Sequence, residues 1–190
     1  MKNIVFFDFF GVISSEIAPI WFRQYLGDEE ANEIKTEIVS LADIGKLSEY
    51  ETYEKISQKI NIPPEQVARE WESLVKINEE LVAIIKSIRK KYPVYLLSNA
   101  IDPFLTRILE AHDLFGLFDK IYISSQMKIA KPNKEFFQYV LNDLELDPKK
   151  VVMIDDNPDN LVGASLCGID GILFSTNDTF KREFDKFFGG

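Results

Sequence analysis

The chain has 190 residues, 46% of them hydrophobic, which suffices for one domain with an insert or for two small domains. Its formal net charge of −9 argues against general binding of nucleic acid or anionic membrane, but a metal or a few local cations can still draw in a small anion. One cysteine, Cys167, excludes an internal disulfide; the apolar run in "MKNIVFFDFF" is too short for a signal peptide, and nothing approaches the roughly 18 apolar residues of a bilayer span, so a cytoplasmic protein is expected.

The first predicted strand is "IVFF" (Ile4–Phe7), which stops on a lone aspartate, Asp8. From about Ser15 to Ile77 no buried strand follows. The segments "EIAPIWFRQYL", "DEEANEIKTEIVSLADIG", "SEYETYEKISQKI" and "PPEQVAREWESLV" read as helices, the last opened by Pro63, Pro64 and Glu65. After Asn78 the pattern changes to alternation. The segment "NEELVAIIKSIRKKY" leads to the strand "VYLLS" (Val94–Ser98), and "PFLTRILEAHDL" to "KIYIS" (Lys120–Ser124). Next, "NKEFFQYVLNDL" leads to "VVMI" (Val151–Ile154), "PDNLVGASLCG" to "GILF" (Gly171–Phe174), and "NDTFKREFDKFF" closes the chain.

Strand–helix alternation predicts right-handed crossovers and a doubly wound α/β domain: a parallel sheet with helices on both faces. A small helical cap is expected as an insert after strand 1. The expected division is a core of residues 1–14 and 78–190 and a cap of residues 15–77. In such a sheet the ligand crevice lies beyond the carboxyl ends of the strands.

Four stretches fall on that side: "DFFGV" with Asp8, "LLSNA" with Ser98 and Asn99, "KIAKPNKEFF" with Lys131, and "VVMIDDNPDN" with Asp155, Asp156 and Asn160. Each has a plain structural alternative. Asp8 could form a turn, Ser98 and Asn99 could cap the helix starting near Ile101, and one of Asp155 and Asp156 could cap the helix after Pro158. Together, however, they suit phosphoryl transfer. A carboxylate can accept the phosphoryl group, clustered carboxylates with a backbone carbonyl suit Mg²⁺, and a hydroxyl and a lysine can hold phosphoryl oxygens. His112, late in a helix, has no catalytic role in this reading. Cys167 reads as a small buried residue packing helix on sheet. Trp21, Phe22, Tyr25 and Trp71 either line the cap's substrate face or form its core.

These four stretches, in this order, resemble the four motifs of the haloacid dehalogenase superfamily. The likeness runs from Asn3 to about Phe174, and "IYISSQMKIAKPNKEFFQYVLNDLELDPKKVVMIDDNPDNLVGASLCGI" carries most of it. Within the superfamily the chain is similar to capped phosphatases of the glucose-1-phosphate phosphatase type and to the amino-terminal phosphatase domain of soluble epoxide hydrolases. The resemblance implies a Rossmann-like core and an Mg²⁺-dependent phosphatase acting on a small phosphorylated metabolite. Asp8 would be the nucleophile. Ser98, Asn99 and Lys131 would bind the phosphate. Asp8, the backbone carbonyl of Phe10, Asp155 and Asp156 would hold Mg²⁺. Which of Asp155 and Asp156 binds directly stays open.

The chain departs from that pattern at Phe10. The family's phosphatases carry a second aspartate there, which protonates the leaving group and activates water. Its loss removes a contribution of about 10²–10⁴ in rate. Three readings follow: a phosphatase for good leaving groups or one that borrows an acid from the cap, a phosphate-binding or regulatory protein with little turnover, or a 2-haloacid dehalogenase. The last carries an aromatic residue at this position, needs no metal, and would need a cation such as Arg23.

Overall fold

Ile4–Phe7 is buried at every position, as a strand covered on both faces must be. In this computed structural model, which describes residues 2–189, it is the central strand β1 of a five-stranded sheet. The others are β2 (Val94–Ser98), β3 (Lys120–Ile123), β4 (Val151–Asp155) and β5 (Asp170–Leu173). All are parallel, in the order β3-β2-β1-β4-β5. Phe7 stands opposite Leu96 of β2 and Ile154 of β4.

Alternation along the strands splits the core. Val5, Phe7, Leu96, Val152 and Ile154 face one apolar cluster, and Phe6, Leu97, Tyr122 and Met153 face the other. On the first side lie α6 (Glu79–Ile88), α7 (Asp102–Ala111) and α11 (Asn177–Phe188), which bury Leu81, Leu105 and Phe180 there. On the second side lie α9 (Lys134–Asp143), which buries Phe136 and Phe137, and α10 (Pro158–Ser165), which buries Ala164. Local chemistry sets the helix starts. The side chain of Asn78 accepts the Leu81 amide (3.1 Å), that of Asn133 the Glu135 amide (3.2 Å), and that of Asn157 the Asp159 amide (3.0 Å).

The predicted elements are present with three adjustments. The third strand stops at Ile123, because Ser124 opens a short helix, α8 (Ser124–Met127). The fourth runs one residue further, so Asp155 is itself a strand residue, and the fifth is shifted to Asp170–Leu173. Two capping expectations are also corrected. Asn157, not Asp155 or Asp156, caps α10. Ser98 and Asn99 do not cap α7; its N-cap is Ile101, and the Asp102 amide donates to Ser125 Oγ (2.9 Å).

The insert after β1 is helical. It contains α1 (Ala18–Tyr25) and α2 (Asp28–Ile34), the latter passing through a π-helical turn, Lys35–Val39, into α3 (Ser40–Asp43). Then come α4 (Glu49–Ile60), started by a capping box between Ser48 and Glu51, and α5 (Pro64–Ser73). Trp21, Phe22, Tyr53 and Trp71 meet edge to face in the centre of this insert, so most of the cap aromatics are core; Tyr25 is exposed. The two linkers to the sheet domain run side by side. Ser14 bridges Ile77 antiparallel, the Ser15 amide donates to Lys76 O (3.0 Å), and the Asn78 amide donates to Ile13 O (2.9 Å). Cys167 is half-buried rather than buried, with Sγ 3.4 Å from the Lys134 carbonyl. No helix among the described residues is long and apolar enough to cross a membrane.

Candidate active site

The order in which strands are added reverses at β1: β2 and β3 lie on one side of it, β4 and β5 on the other. A crevice opens beyond the strand ends at such a point. Asp8 follows β1, Ser98 ends β2, and Asp155 ends β4. The parallel register therefore brings together residues far apart in sequence.

The turn after β1 is tight. Phe9 is fully buried, and its carbonyl accepts the Ile13 (2.8 Å) and Ser14 (2.9 Å) amides. Gly11 sits at φ +80, and a Cβ added there would run into the Asp156 carboxylate. Gly11→Ala is expected to cost roughly 1–3 kcal/mol of stability and to displace Asp156. Urea unfolding, together with titration of Mg²⁺, checks both effects; unchanged stability would mean that the turn yields easily.

Asp8 is buried, with Oδ1 accepting the Phe9 amide (2.7 Å) and lying 2.9 Å from Lys131 Nζ. Lys131 Nζ also lies 2.7 Å from Asp155 Oδ2, so one buried ammonium bridges two carboxylates. Asn99 fixes the backbone at Lys131 by two bonds: its Oδ1 accepts the Lys131 amide (2.9 Å), and its Nδ2 donates to the Lys131 carbonyl (2.8 Å). Asp155 further accepts from Asn160 Nδ2 (3.0 Å) and the Asn157 amide (2.9 Å), so Asn160 orients this carboxylate. Ser98 Oγ is buried with no hydrogen-bond partner among the described residues.

Asp8, Asp155 and Asp156 each offer a carboxylate oxygen, all within 4.8 Å of one another. Burial pushes the Asp8 carboxyl well up; Asp155 adds to this and Lys131 opposes it. Burial and Asp155 likewise push Asp156 up. Burial alone would depress the Lys131 ammonium, but Asp8 and Asp155 outweigh it and hold it above its ordinary value. Three acids thus crowd one buried cation, which pairs with two of them. No backbone amide among the described residues donates to the Phe10 carbonyl. Hard oxygen donors with surplus negative charge fit a divalent cation such as Mg²⁺.

Between these strand ends and the insert lies a cavity of about 140 Å³. The sheet domain contributes Asp8, Phe10, Asn99, Phe104, Asp156 and Asn160 to its wall, and the insert contributes Lys35, Val39, Asp43 and Trp71. Glu16 and Ile17 line it from the linker. Phe10 stacks on Phe104, with ring centroids 6.1 Å apart and planes 18° apart. Arg23 is absent from this wall and pairs with Asp28 (3.2 Å) on the surface. Glu16, Asp43 and Lys35 were not legible in the sequence, because each is a lone charged residue in ordinary helix or linker sequence.

The model of the haloacid dehalogenase-like hydrolases matches residues 2–168. The chain belongs to this family. This haloacid dehalogenase-like hydrolase is 31% identical over 163 residues to a drimenol cyclase of Aspergillus calidoustus, a match spanning 82% of this chain but only 31% of that protein's length. It is 28% identical over 178 residues to the D-ribitol-5-phosphate phosphatase of Bacteroides thetaiotaomicron, covering 85% of each. A variant of a haloacid dehalogenase family enzyme from the same organism, in complex with magnesium and inorganic phosphate, superposes with a TM-score of 0.78 at 25% identity. That superposition covers 97% of this chain and 100% of the other.

Proposed function

We propose that this hydrolase is an Mg²⁺-dependent phosphatase for a small phosphorylated metabolite, working through an aspartyl-phosphate on Asp8. The observation that carries the reading is the trio Asp8, Asp155 and Asp156, within 4.8 Å, with Lys131 buried between two of them. The likeness to a sugar-alcohol phosphate phosphatase over most of both chains supports the substrate class.

In this reading Asp8 attacks phosphorus, and Lys131 neutralises charge that moves onto the phosphoryl oxygens. The partnerless Ser98 hydroxyl gives one of those oxygens a donor it otherwise lacks. Asn99 acts through Lys131, by holding its backbone. Asp8, Asp156 and the Phe10 carbonyl would hold Mg²⁺ directly, because Asp155 is already engaged by Lys131, Asn160 and the Asn157 amide. Bound there, the cation would offset repulsion between Asp8 and the anionic substrate and stabilise developing charge. Residues 15–77 would form the cap that excludes bulk water and selects substrate, as in the capped phosphatases named above.

A panel of phosphate esters and 2-haloacids, each run with Mg²⁺ and with chelator, tests the reading. Phosphate release that needs Mg²⁺ is expected. Halide release indifferent to chelator would replace it with a dehalogenase. No turnover at all, with Mg²⁺ still bound, would leave a phosphate-binding protein.

A further inference from the structure

An alkoxide leaves phosphorus poorly without a proton, and the Phe10 side chain has none to give. The opposite wall of the cavity supplies a carboxyl. Asp43 ends α3 and lines the same cavity as Asp8, Phe10 and Asp156. No side-chain hydrogen bond or ion pair among the described residues accounts for it; what acts on it is burial and the field of more distant charges. It therefore has no evident structural task.

The backbone just after Asp43 is pinned to the sheet domain. Gly45 turns at φ +63, its amide donates to Ala42 O (2.8 Å), and its carbonyl accepts Lys128 Nζ (3.2 Å). An added Cβ there would meet the Ser125 carbonyl, so the contact tolerates only glycine. This holds α3 against the site.

The charged groups facing Asp43 are Glu16 from the linker, Lys35 from the π-helical turn, and Lys131 from the loop before α9. Asp43 is half-buried at the cavity wall, and the loss of water around it is the largest influence, pushing the carboxyl up to about 7, with Glu16 adding to it and the two lysines opposing. Such a value suits a group that must both give and take a proton near neutrality. Glu16 is less suited. After burial, the charge it feels most is that of Asp156, which places it toward the metal ligands. Asp43 instead lines the cavity from the insert, across from the sheet residues Asp8 and Phe10.

We propose that Asp43 is the catalytic acid and base that position 10 lacks, carried on the cap instead of the sheet. The proposal rests on the phosphatase reading above. In the first step an Asp8 oxygen bonds to phosphorus, the ester P–O bond breaks, and its electron pair takes the Asp43 proton to release an alcohol. In the second, a water oxygen bonds to phosphorus, its proton passes to the Asp43 carboxylate, and the bond from phosphorus to Asp8 breaks to release phosphate. Both enzyme groups return to their starting state. Because the acid sits on the cap, the site is complete only when the cap is closed.

Asp43→Asn tests this in the full chain with Mg²⁺. Turnover of an alkyl phosphate is expected to fall about 10²–10³-fold, mainly in kcat. Acetyl phosphate needs no proton on its leaving acetate, so Asp8 is still phosphorylated, and the phosphoenzyme accumulates in intact mass spectra. Adding Phe10→Asp to the variant restores alkyl phosphate turnover. Folding has the opposite sign. A carboxyl whose folded pKa is raised loses stability as pH climbs from its unfolded value to its folded one. Asp43→Asn removes that cost, so it melts roughly 2–4 °C above the wild type at pH 8, with the gap closing toward pH 4. Alkyl phosphate hydrolysis by Asp43→Asn at the wild-type rate would overturn the proposal. So would loss of turnover with no phosphoenzyme, which marks a structural role. A wild type inert to every phosphoryl donor would fail the phosphatase reading itself, a result distinct from both.

Discussion

An Asp8→Asn variant is expected to release no phosphate from any ester, a loss of at least about 10⁴-fold. The amide oxygen is a poor nucleophile, and neither neighbouring aspartate is free to take its place. Asp155 is tied to Lys131, Asn160 and the Asn157 amide, and Asp156 packs its carboxylate against Gly11, where it would hold the cation. The fold should survive the change. The carboxamide oxygen at this position would still accept the Phe9 amide, which lies 2.7 Å from Asp8 Oδ1 in the wild type, and Lys131 would keep Asp155. Removing one of three crowded acids also relieves repulsion, so metal-free stability should hold or rise. Phosphate release and intact mass with acetyl phosphate check the chemistry, and urea unfolding checks the fold. Hydrolysis at the wild-type rate would take Asp8 out of its role.

Lys131→Met should do the opposite to stability. The ammonium lies 2.9 Å from Asp8 and 2.7 Å from Asp155, with almost no solvent to replace it. Its loss leaves two carboxylates facing each other in a buried site, at a cost of roughly 3–5 kcal/mol in metal-free protein at neutral pH. Two treatments should recover part of that loss. Mg²⁺ supplies positive charge to the same oxygens. Acid protonates one carboxyl: with the cation gone, the Asp8 carboxyl, already raised, rises further, so the deficit shrinks as pH falls through its folded pKa. Turnover should drop about 10²–10³-fold, the loss of one preorganised electrostatic contact. Unfolding curves with and without Mg²⁺, at two pH values, decide the matter. A metal-free variant as stable as the wild type at neutral pH would show that Lys131 is not the counter-ion holding this site.

The sheet was readable because burial on both faces leaves continuous apolar runs such as "IVFF" and "VVMI", bounded by turn residues. The motif residues were readable because parallel strands end at one level, so acids at strand ends must converge. Division of labour among them was not. Asp155 and Asp156 are adjacent and identical in type, and only the partners Lys131, Asn157 and Asn160 tell them apart. Asn99 looks in sequence like a phosphate or capping residue, yet it holds the Lys131 backbone 32 positions on. Asp43 gave no signal, because a single acid at the end of an amphipathic helix reads as ordinary surface, and it acquires its surroundings only when α3 docks beside Ser125 and Lys128. The π-helical turn before it has no marker in "KTEIV" either.

The polypeptide leaves the sheet and rejoins it at one doorway, where Ser14 and Ile77 are bridged. A short hairpin could therefore close the gap if everything beyond that bridge were excised, and a foreign lid could be spliced onto the same two residues. Such a graft would leave Asp8, Lys131 and Asp156 where they stand. It would exchange Trp71, Lys35 and Asp43, and with them both the choice of guest and the source of its proton.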